Sequence, residues 1–232
     1  KTIGFKRPNN NGLIEDIKVT EFINNDLIKY SYSSLARGIP SYMDGLKQSE
    51  RKIVYGMIKY FNITGSNKDF SQKKLVSVAS AIKESTGYHH DEKALYETLI
   101  GMSQDIKGTN NMPVFEIVGN QGDTAKGPKS HAAPRYLNVK PRLIFSYIYR
   151  NEDSILYNYK EDEGHFIEPE VMFPIVPLHI INGIKGIATG FSTLIPSHNP
   201  ITVIKWLLMR IEHELDVDYG NIEKGTEPEW ES

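Results

Sequence analysis

The sequence of 232 residues contains no cysteine, only two tryptophans and no long apolar run. The absence of cysteine excludes a disulfide framework, a thiolate metal site and a cysteine nucleophile, and it fits a reducing compartment. No apolar stretch approaches the roughly 18 residues that are needed to span a bilayer. The polar N-terminal sequence, residues 1–12, lacks the apolar core of a signal peptide. The sequence therefore predicts a globular protein with no membrane partner.

The net charge of −2 conceals an uneven distribution of charge along the chain. Residues 1–140 carry 20 basic and 14 acidic side chains, a net of +6, whereas residues 141–232 carry 7 basic and 15 acidic side chains, a net of −8. A basic half joined to an acidic half indicates a region that binds polyanions beside one that does not. On charge alone, ordinary solvated surfaces are an equally good interpretation.

Apolar periodicity and capping residues predict several short helices in the basic half. Thr20 and Asp91 are placed to serve as helix N-caps, and apolar residues at helical spacing predict two further helices, from Ser49 and near Leu75. Residues 114–118 (VFEIV) are typical of a strand, and a glycine-rich loop follows them. Short helices followed by a strand and such a loop are typical of a winged helix-turn-helix unit.

The sequence pattern of the acidic half predicts a hairpin and a final helix. Residues 155–159 and 165–169 flank an acidic turn and predict a β-hairpin. Asn199 and Pro200 are suited to the N-cap and first position of a final helix. The fold class predicted from the whole chain is α+β, with a CAP-like winged helix-turn-helix domain in the basic half.

Several motifs suggest cofactor sites that their details exclude. Residues 122–130 (GDTAKGPKS) nearly spell a phosphate-binding P-loop, but Pro128 prevents the following helix from starting in register. His89 and His90 are adjacent, point about 100° apart on a helix and have no nearby third zinc ligand. Asp216 and Asp218 form an Asp-x-Asp pair that a solvated acidic tail explains better than magnesium does. No metal ligand is predicted in this chain.

The stretch KSHAAPRYLNV places a permanent cation, Arg135, directly beside the phenol of Tyr136. A phenol has an ordinary pKa of about 10 and needs a nearby cation or proton acceptor to become a nucleophile. Planar guanidinium groups also match the charge that develops on a phosphoryl group under attack. The hypothesis is a tyrosine that attacks a phosphodiester, and the alternative is a structural tyrosine.

Five separated stretches together resemble the breakage-reunion region of type IIA DNA topoisomerases. They occur in the family's order, and they are ARGIPSYMDGLKQSERK at 36–52, GYHHDE at 87–92, GTNNMPVFEIVGNQGD at 108–123, HAAPRY at 131–136 and FPIVPLHIINGIKGIATGFSTLIPSHN at 173–199. The double histidine and the N-terminal EFINNDLIKYS resemble eukaryotic and viral members more than bacterial gyrase. Asp91 stands where the family usually has glycine, and Gln48 where it usually has proline. Asp91 either raises the pKa of the neighbouring histidine or simply caps a helix.

The resemblance implies a role for each matched residue. Tyr136 is the nucleophile that forms a transient phosphotyrosyl link in a double-strand break used for duplex passage. Arg135 and Arg37 stabilise the phosphate, and His90 hydrogen-bonds the reacting group. The expected DNA contacts are Lys47, Arg51, Lys52, His89, Lys129 and Ile187. Ile187 matches an isoleucine that is inserted between base pairs, although a place in the core is the alternative.

The resemblance also implies what must come from outside this chain. The family uses a Toprim domain for Mg²⁺ and a separate domain for ATP, and neither is found in these residues. The expected partners are double-stranded DNA, a second copy of the same chain in a homodimer, and the Toprim domain of that partner. The chain is then a fragment with an arm or linker (1–19), a winged-helix DNA-binding and cleavage domain (20–140) and a partial α/β tower domain (141–232). Such an enzyme is intracellular and located with the DNA, in the nucleus if eukaryotic and in the cytoplasm or nucleus if viral. The alternative is a non-catalytic winged-helix DNA-binding module.

Overall fold

The computed structural model describes residues 4–9, 11–63 and 70–215, and the chain there combines helices with small antiparallel sheets. The α-helices of this part are α1 (Val19–Phe22), α2 (Ile28–Gly38), α3 (Gln48–Tyr60), α4 (Leu75–Ser85), α5 (Glu92–Ser103), α6 (Leu143–Ile148), α7 (Leu178–Ile181) and α8 (Pro200–Leu215). The strands are β1 (Gly4–Pro8), β2 (Ile14–Lys18), β3 (Lys73–Lys74), β4 (Phe115–Val118), β5 (Asn138–Pro141), β6 (Tyr159–Asp162), β7 (His165–Pro169), β8 (Ile184–Ala188) and β9 (Phe191–Ile195). The predicted α+β class is confirmed.

Helices α3, α4 and α5 and a three-stranded antiparallel sheet in the order β3-β5-β4 form the centre of the fold. Strand β5 pairs with both neighbours, so that Val139 lies opposite Lys73 on one side and Ile117 on the other. The long connection between β4 and β5 carries the glycine-rich loop. Three helices, a small sheet and a protruding loop are the winged-helix arrangement that the sequence predicts.

Apolar side chains at helical spacing explain why these three helices pack together. Each helix turns one stripe into a common core, and the fully buried members are Ile53, Val54, Met57, Leu75, Val78, Ile82, Leu95 and Leu99. Burying a side chain of this size contributes about 1.5–3 kcal/mol. Helices α3 and α4 approach closely at Gly56, where an added Cβ would lie 2.7 Å from Ile82 Cγ1. Gly56 is therefore required by packing.

The N-terminal region, predicted as an arm or linker, contains a hairpin that was not predicted. Strands β1 and β2 pair in register from Gly4 opposite Lys18 to Pro8 opposite Ile14, and they form a hairpin that leads into α1. The prediction that Thr20 caps a helix is wrong, because Thr20 lies inside α1, whose N-cap is Lys18 with no side-chain cap. A π-helical turn (Ile23–Leu27) joins α1 to α2, so the helical path continues to Gly38.

The C-terminal half contains two more hairpins. The predicted hairpin forms, but its first strand is β6 rather than residues 155–159, because Asn151–Leu156 is a 3-10 helix. Strands β8 and β9 form a hairpin that was not predicted. The predicted cap of the last helix is confirmed, since Asn199 Oδ1 accepts a hydrogen bond from the Ile201 amide at 2.9 Å. Asp216 and Asp218 lie outside the described residues.

Candidate active site

The proposed nucleophile lies on a tight turn at the edge of the sheet. Pro134–Tyr136 forms a 3-10 turn directly before β5, and Pro134 fixes its first position. The side chain of Tyr136 is 68% exposed. The guanidinium carbon of Arg135 lies 4.9 Å from the centroid of the Tyr136 ring, which is within cation–π range. The structure thus presents a solvent-accessible phenol with a permanent cation against it.

Three contacts hold this turn in place. The Leu75 amide at the start of α4 donates to Leu137 O at 3.0 Å, and Leu137 itself is fully buried. The Ala132 amide donates to Asn120 O at 2.9 Å, which connects the turn to the base of the glycine-rich loop. Gly119 has a φ of +129°, and a Cβ there would lie 3.0 Å from Leu137 Cδ2. The backbone around the tyrosine is therefore fixed while its side chain is exposed.

A second group of predicted residues shares a cleft of about 750 Å³. Arg37 borders it from the last turn of α2, and His89 and His90 border it from the turn before α5. Strand β6 also borders it. The other lining residues are Gln48, Ser49, Lys52, Gly87, Tyr88, Tyr159, Lys160, Glu161, Asp162, Ile167 and Glu170. Side chains of both signs therefore face the cleft, since Arg37, Lys160 and the two imidazoles lie beside the carboxylates of Glu161, Asp162 and Glu170.

The side chains in this cleft are oriented by specific partners. Arg37 Nε donates to Ser33 O at 3.2 Å, one helical turn earlier. His89 Nε2 lies 2.8 Å from Asp162 Oδ2. The His90 ring packs edge-on against Tyr88, with centroids 5.6 Å apart. Burial of Tyr88, with the Asp91 charge nearby, raises the pKa of its phenol. Tyr88 is therefore a neutral packing partner, while both histidines are exposed to the cleft.

Both departures from the family pattern have visible positions. Asp91 is the N-cap of α5, and its Oδ1 accepts a hydrogen bond from the Lys93 amide at 3.2 Å. Of the two roles considered for this aspartate, helix capping is the one seen in the structure. Gln48 is the first residue of α3 and lines the cleft. Proline is also well suited to the first position of a helix, so this substitution leaves the helix start intact.

Two of the predicted DNA contacts are wrong. Arg51 donates to both carboxylate oxygens of Asp44, at 2.7 and 2.9 Å, and its side chain is only 6% exposed. Lys52 Nζ lies 2.7 Å from Glu168 Oε2 and also donates to Thr86 O, and its side chain is 7% exposed. Burial without compensation would cost each cation several kcal/mol, so these carboxylates hold both cations inside the protein rather than leaving them free for phosphates.

The remaining predicted DNA contacts lie at the surface. Lys47 directly precedes α3 and is half-buried, and its amide donates to Glu50 Oε2 at 2.9 Å. Lys129 is exposed in the 3-10 turn Pro128–Ser130, beside the glycine-rich loop. Ile187 is 67% exposed on β8, which argues against the core position considered as its alternative. These positions leave Lys129 and Ile187 accessible to a large ligand.

The four predicted catalytic residues do not meet within one chain. Arg37 and His90 share the cleft, whereas Arg135 and Tyr136 are not among its lining residues. The tyrosine turn contacts the first residue of α4, and the histidine turn follows the last. An 11-residue helix separates its ends by about 16 Å. The expectation that all four converge on one phosphate is therefore not met in a single copy of the chain.

Strand β6 is the part of the cleft that sequence reasoning missed. Tyr159, Lys160 and Asp162 all come from it, and Asp162 contacts a predicted site residue. The acidic turn is recognisable in the sequence, but nothing in its spacing connects it to histidines 73 residues earlier.

Within the described part of the chain, no group of three or more His, Asp or Glu side chains is arranged to hold a metal ion.

Comparison with known proteins places the chain in a family. Residues 37–230 match the family model that describes the A subunits of DNA gyrase/topoisomerase IV. DNA topoisomerase 2 from Meyerozyma guilliermondii is 36% identical over 218 residues, which cover 94% of this chain. The chain belongs to the type IIA DNA topoisomerases. The resemblance drawn from the five stretches is confirmed. DNA topoisomerase 2 of Invertebrate iridescent virus 6 is also 36% identical over 218 residues, 92% of this chain.

The comparisons also confirm the fold and define the extent of the chain. The crystal structure of the Plasmodium falciparum topoisomerase II DNA-binding, cleavage and re-ligation domain superposes with a TM-score of 0.75 at 33% identity. The aligned region covers 85% of this chain and 26% of the P. falciparum chain. The chain spans about 15% of the M. guilliermondii topoisomerase and 18% of the viral topoisomerase. Among the described helices, none is both long and apolar enough to cross a membrane.

Proposed function

We propose that this chain is the DNA-binding and cleavage part of an ATP-dependent type IIA topoisomerase, with Tyr136 as its nucleophile. The observation that carries the proposal is the exposed Tyr136 phenol with the Arg135 guanidinium 4.9 Å from its ring. Exposure alone does not distinguish Tyr136, since Tyr32 is also 68% exposed, but Tyr136 combines it with an adjacent guanidinium. The fixed backbone on both sides of the turn supports the same role, because a nucleophile must be held in line with its target.

The reaction is a transesterification. The phenolic oxygen of Tyr136 gives up its proton to water and forms a bond to phosphorus. The bond from phosphorus to a sugar oxygen breaks, and that oxygen takes up a proton from water and leaves as a hydroxyl. One phosphoester replaces another, so the break can be resealed without ATP at this step. Guanidinium groups stabilise the charge that develops on the phosphoryl oxygens. We assign this role to Arg135 and Arg37, and we assign a hydrogen bond to the reacting group to His90.

We further propose that two copies of the chain complete the site. Tyr136 and the Arg37–His90 cleft lie at opposite ends of α4, so one copy cannot place both on the same phosphate. In a homodimer, the tyrosine turn of one copy can face the cleft of the other. Two such sites would cut both strands of a duplex, which is the break needed for duplex passage.

The DNA contacts are assigned to predicted residues that are exposed or half-buried. Lys129 beside the glycine-rich loop, Lys47 before α3 and His89 in the cleft are assigned to the phosphate backbone, which sets affinity rather than sequence preference. Ile187 projects from a hairpin with 67% of its side chain exposed. An apolar wedge of this kind unstacks a base step and bends the duplex.

The rest of the enzyme supplies what these residues do not hold. We assign Mg²⁺ to the Toprim domain of the partner chain, and ATP to a separate ATPase domain. Within this chain, we assign residues 20–140 to the winged-helix cleavage domain and residues 141–232 to the start of a tower domain, after an N-terminal segment 1–19. The whole protein would work inside the cell, with the DNA.

The covalent adduct between protein and DNA tests this proposal. In the full-length enzyme, Tyr136→Phe should retain DNA binding and abolish the adduct that remains on DNA after denaturation with detergent. Tyr32→Phe is the matched control, because Tyr32 is also 68% exposed but lies on α2. An adduct that survives in Tyr136→Phe would contradict the assignment. If both variants and the wild type bind DNA without any adduct, the chain is instead a non-catalytic DNA-binding module.

A further inference from the structure

The histidine turn, residues 87–90, is held by a hairpin that is far away in sequence. Strands β6 and β7 follow the proposed nucleophile, yet they are linked to this turn directly at His89 and, through Lys52 of α3, to the residue before it. One contact is a carboxylate on His89. The other is a buried ammonium that connects the hairpin to Thr86.

The first contact joins Asp162, at the end of β6, to His89. Asp162 Oδ2 lies 2.8 Å from His89 Nε2. The same oxygen lies against the backbone of Gly87, where an added Cβ would be 2.5 Å away. Gly87 has a φ of +55°, so glycine serves both the turn and the approach of the carboxylate. Asp162 thus contacts two of the four residues in the turn.

The second contact is made by Lys52, which the sequence had assigned to DNA. Its ammonium donates to Thr86 O and to Glu168 Oε2 on β7, at 2.7 Å for the latter. Glu168 is fully buried, and its Oε1 lies 3.7 Å from Lys160 Nζ on β6. A buried ion pair in this position fixes the hairpin relative to the residue that precedes Gly87. The hairpin is therefore connected to the chain on both sides of Gly87 and Tyr88, through Lys52 at Thr86 and through Asp162 at His89.

We infer that Asp162 is a positioning residue for DNA cleavage, which orients His89 and thereby holds the histidine turn so that His90 faces the reacting phosphate. This inference rests on the proposed function. A carboxylate only accepts hydrogen bonds, so it selects the ring form of His89 that carries a proton on Nε2. The turn is short and its far end is fixed where Asp91 caps α5. A change at His89 is consequently passed to His90, the next residue.

Single-turnover DNA cleavage by the full-length enzyme tests the inference. With DNA saturating, Asp162→Ala should lower the cleavage rate at least about tenfold, because small displacements of catalytic groups carry costs of that order. The dissociation constant for DNA should change much less. Asp162→Asn keeps the shape and one acceptor oxygen, so it should restore part of the rate. Glu163→Gln removes a charge from the adjacent residue at the hairpin tip, which is not among the residues lining the cleft, and should cleave as the wild type does.

A double-mutant cycle with His89→Ala separates positioning from general support of the hairpin. If Asp162 acts through His89, adding Asp162→Ala to His89→Ala should cause little further loss of rate. An equal loss in both backgrounds, or cleavage at the wild-type rate by Asp162→Ala, would overturn the inference. The Tyr136→Phe adduct assay separates the two proposals. If that variant forms no adduct while the Asp162 variants cleave normally, only the positioning role is wrong.

Discussion

The largest loss of stability that we predict follows from breaking the buried pair of Asp44 and Arg51. Asp44 accepts hydrogen bonds from Arg51 at 2.7 and 2.9 Å, from the Leu46 amide at 2.9 Å and from the Met172 amide at 3.0 Å. It therefore joins the loop before α3 to that helix and to a segment 128 residues later. Asp44→Ala leaves a guanidinium that is 6% exposed without its carboxylate, and breaking such a pair costs about 3–5 kcal/mol.

The two amides that lose their acceptor would each cost roughly 1–3 kcal/mol if they stayed unsatisfied. Relaxation toward water reduces this, so we take the pair alone as the minimum, about 3 kcal/mol. In a chain of this length, each kcal/mol lowers the melting temperature by about 2–4 °C. Asp44→Ala should therefore melt at least about 6 °C below the wild type in differential scanning fluorimetry.

The matched control removes an exposed carboxylate from an ion pair. Arg150 and Glu152 form a pair at 3.2 Å in which the side chains are 56% and 70% exposed. Surface pairs contribute little to stability, so Glu152→Ala should have the same melting temperature as the wild type. If Asp44→Ala lowered the melting temperature no more than Glu152→Ala does, water would have to reach Arg51, and its assignment to the protein interior would be refuted.

Two further predictions concern DNA. Lys129→Ala should reduce the slope of log binding constant against log salt concentration by about 0.9, as expected for one lost phosphate contact. Arg51→Met, assayed under conditions where it is folded, should leave that slope unchanged. A reduced slope in Arg51→Met would show that Arg51 contacts DNA after all. Ile187→Ala should bend DNA less in a fluorescence-transfer assay and keep the wild-type melting temperature, because the side chain is 67% exposed. Phe191→Ala, on the opposite strand of the same hairpin and 64% exposed, is its control; equal bending by the wild type and Ile187→Ala would exclude the wedge.

Much of the helical core was predictable from the sequence because its signals are local. Helices α3, α4 and α5 are amphipathic, and each places its apolar stripe against the same core. The caps at Asp91 and Asn199 were predictable for the same reason, since each side chain bonds an amide two residues later. The α+β class and the winged-helix arrangement followed from the order of these elements.

The strands of the C-terminal half were less predictable because their limits depend on pairing. Residues 155–159 have strand-like composition, yet β6 begins at Tyr159, where it meets Pro169 of β7. Hairpin β8–β9 is rich in glycine, which favours a loop in isolation. Its position is set by α2, since the Thr189 amide donates to Ser34 Oγ at 3.2 Å. Contacts of this range have no signature in local sequence.

In the candidate site, too, local features were predictable from the sequence and contacts between distant residues were not. The identities of Tyr136, Arg37 and His90 could be proposed from motifs, but their relative positions could not. Arg51 and Lys52 were expected to contact DNA because of the resemblance to the family, whereas the structure pairs both with buried carboxylates. Their carboxylate partners are 7 and 116 residues away, and only the second distance hides a partner from sequence reasoning. Asp44 lies in the same matched stretch as Arg51, but their pairing was not predicted.

The close packing of hairpin β8–β9 on the end of α2 has a consequence for where the enzyme cuts. A Cβ on Gly38 would collide with the carbonyl oxygen of Ile187, so no side chain separates the two backbones. Arg37 and Ile187 are therefore set at a fixed spacing by direct backbone contact. On the proposed roles, the phosphate to be cut and the base step to be opened lie a constant number of nucleotides apart. Cleavage positions would then follow easily kinked pyrimidine–purine steps at that offset, and the preference would arise from DNA stiffness without any base-specific hydrogen bond.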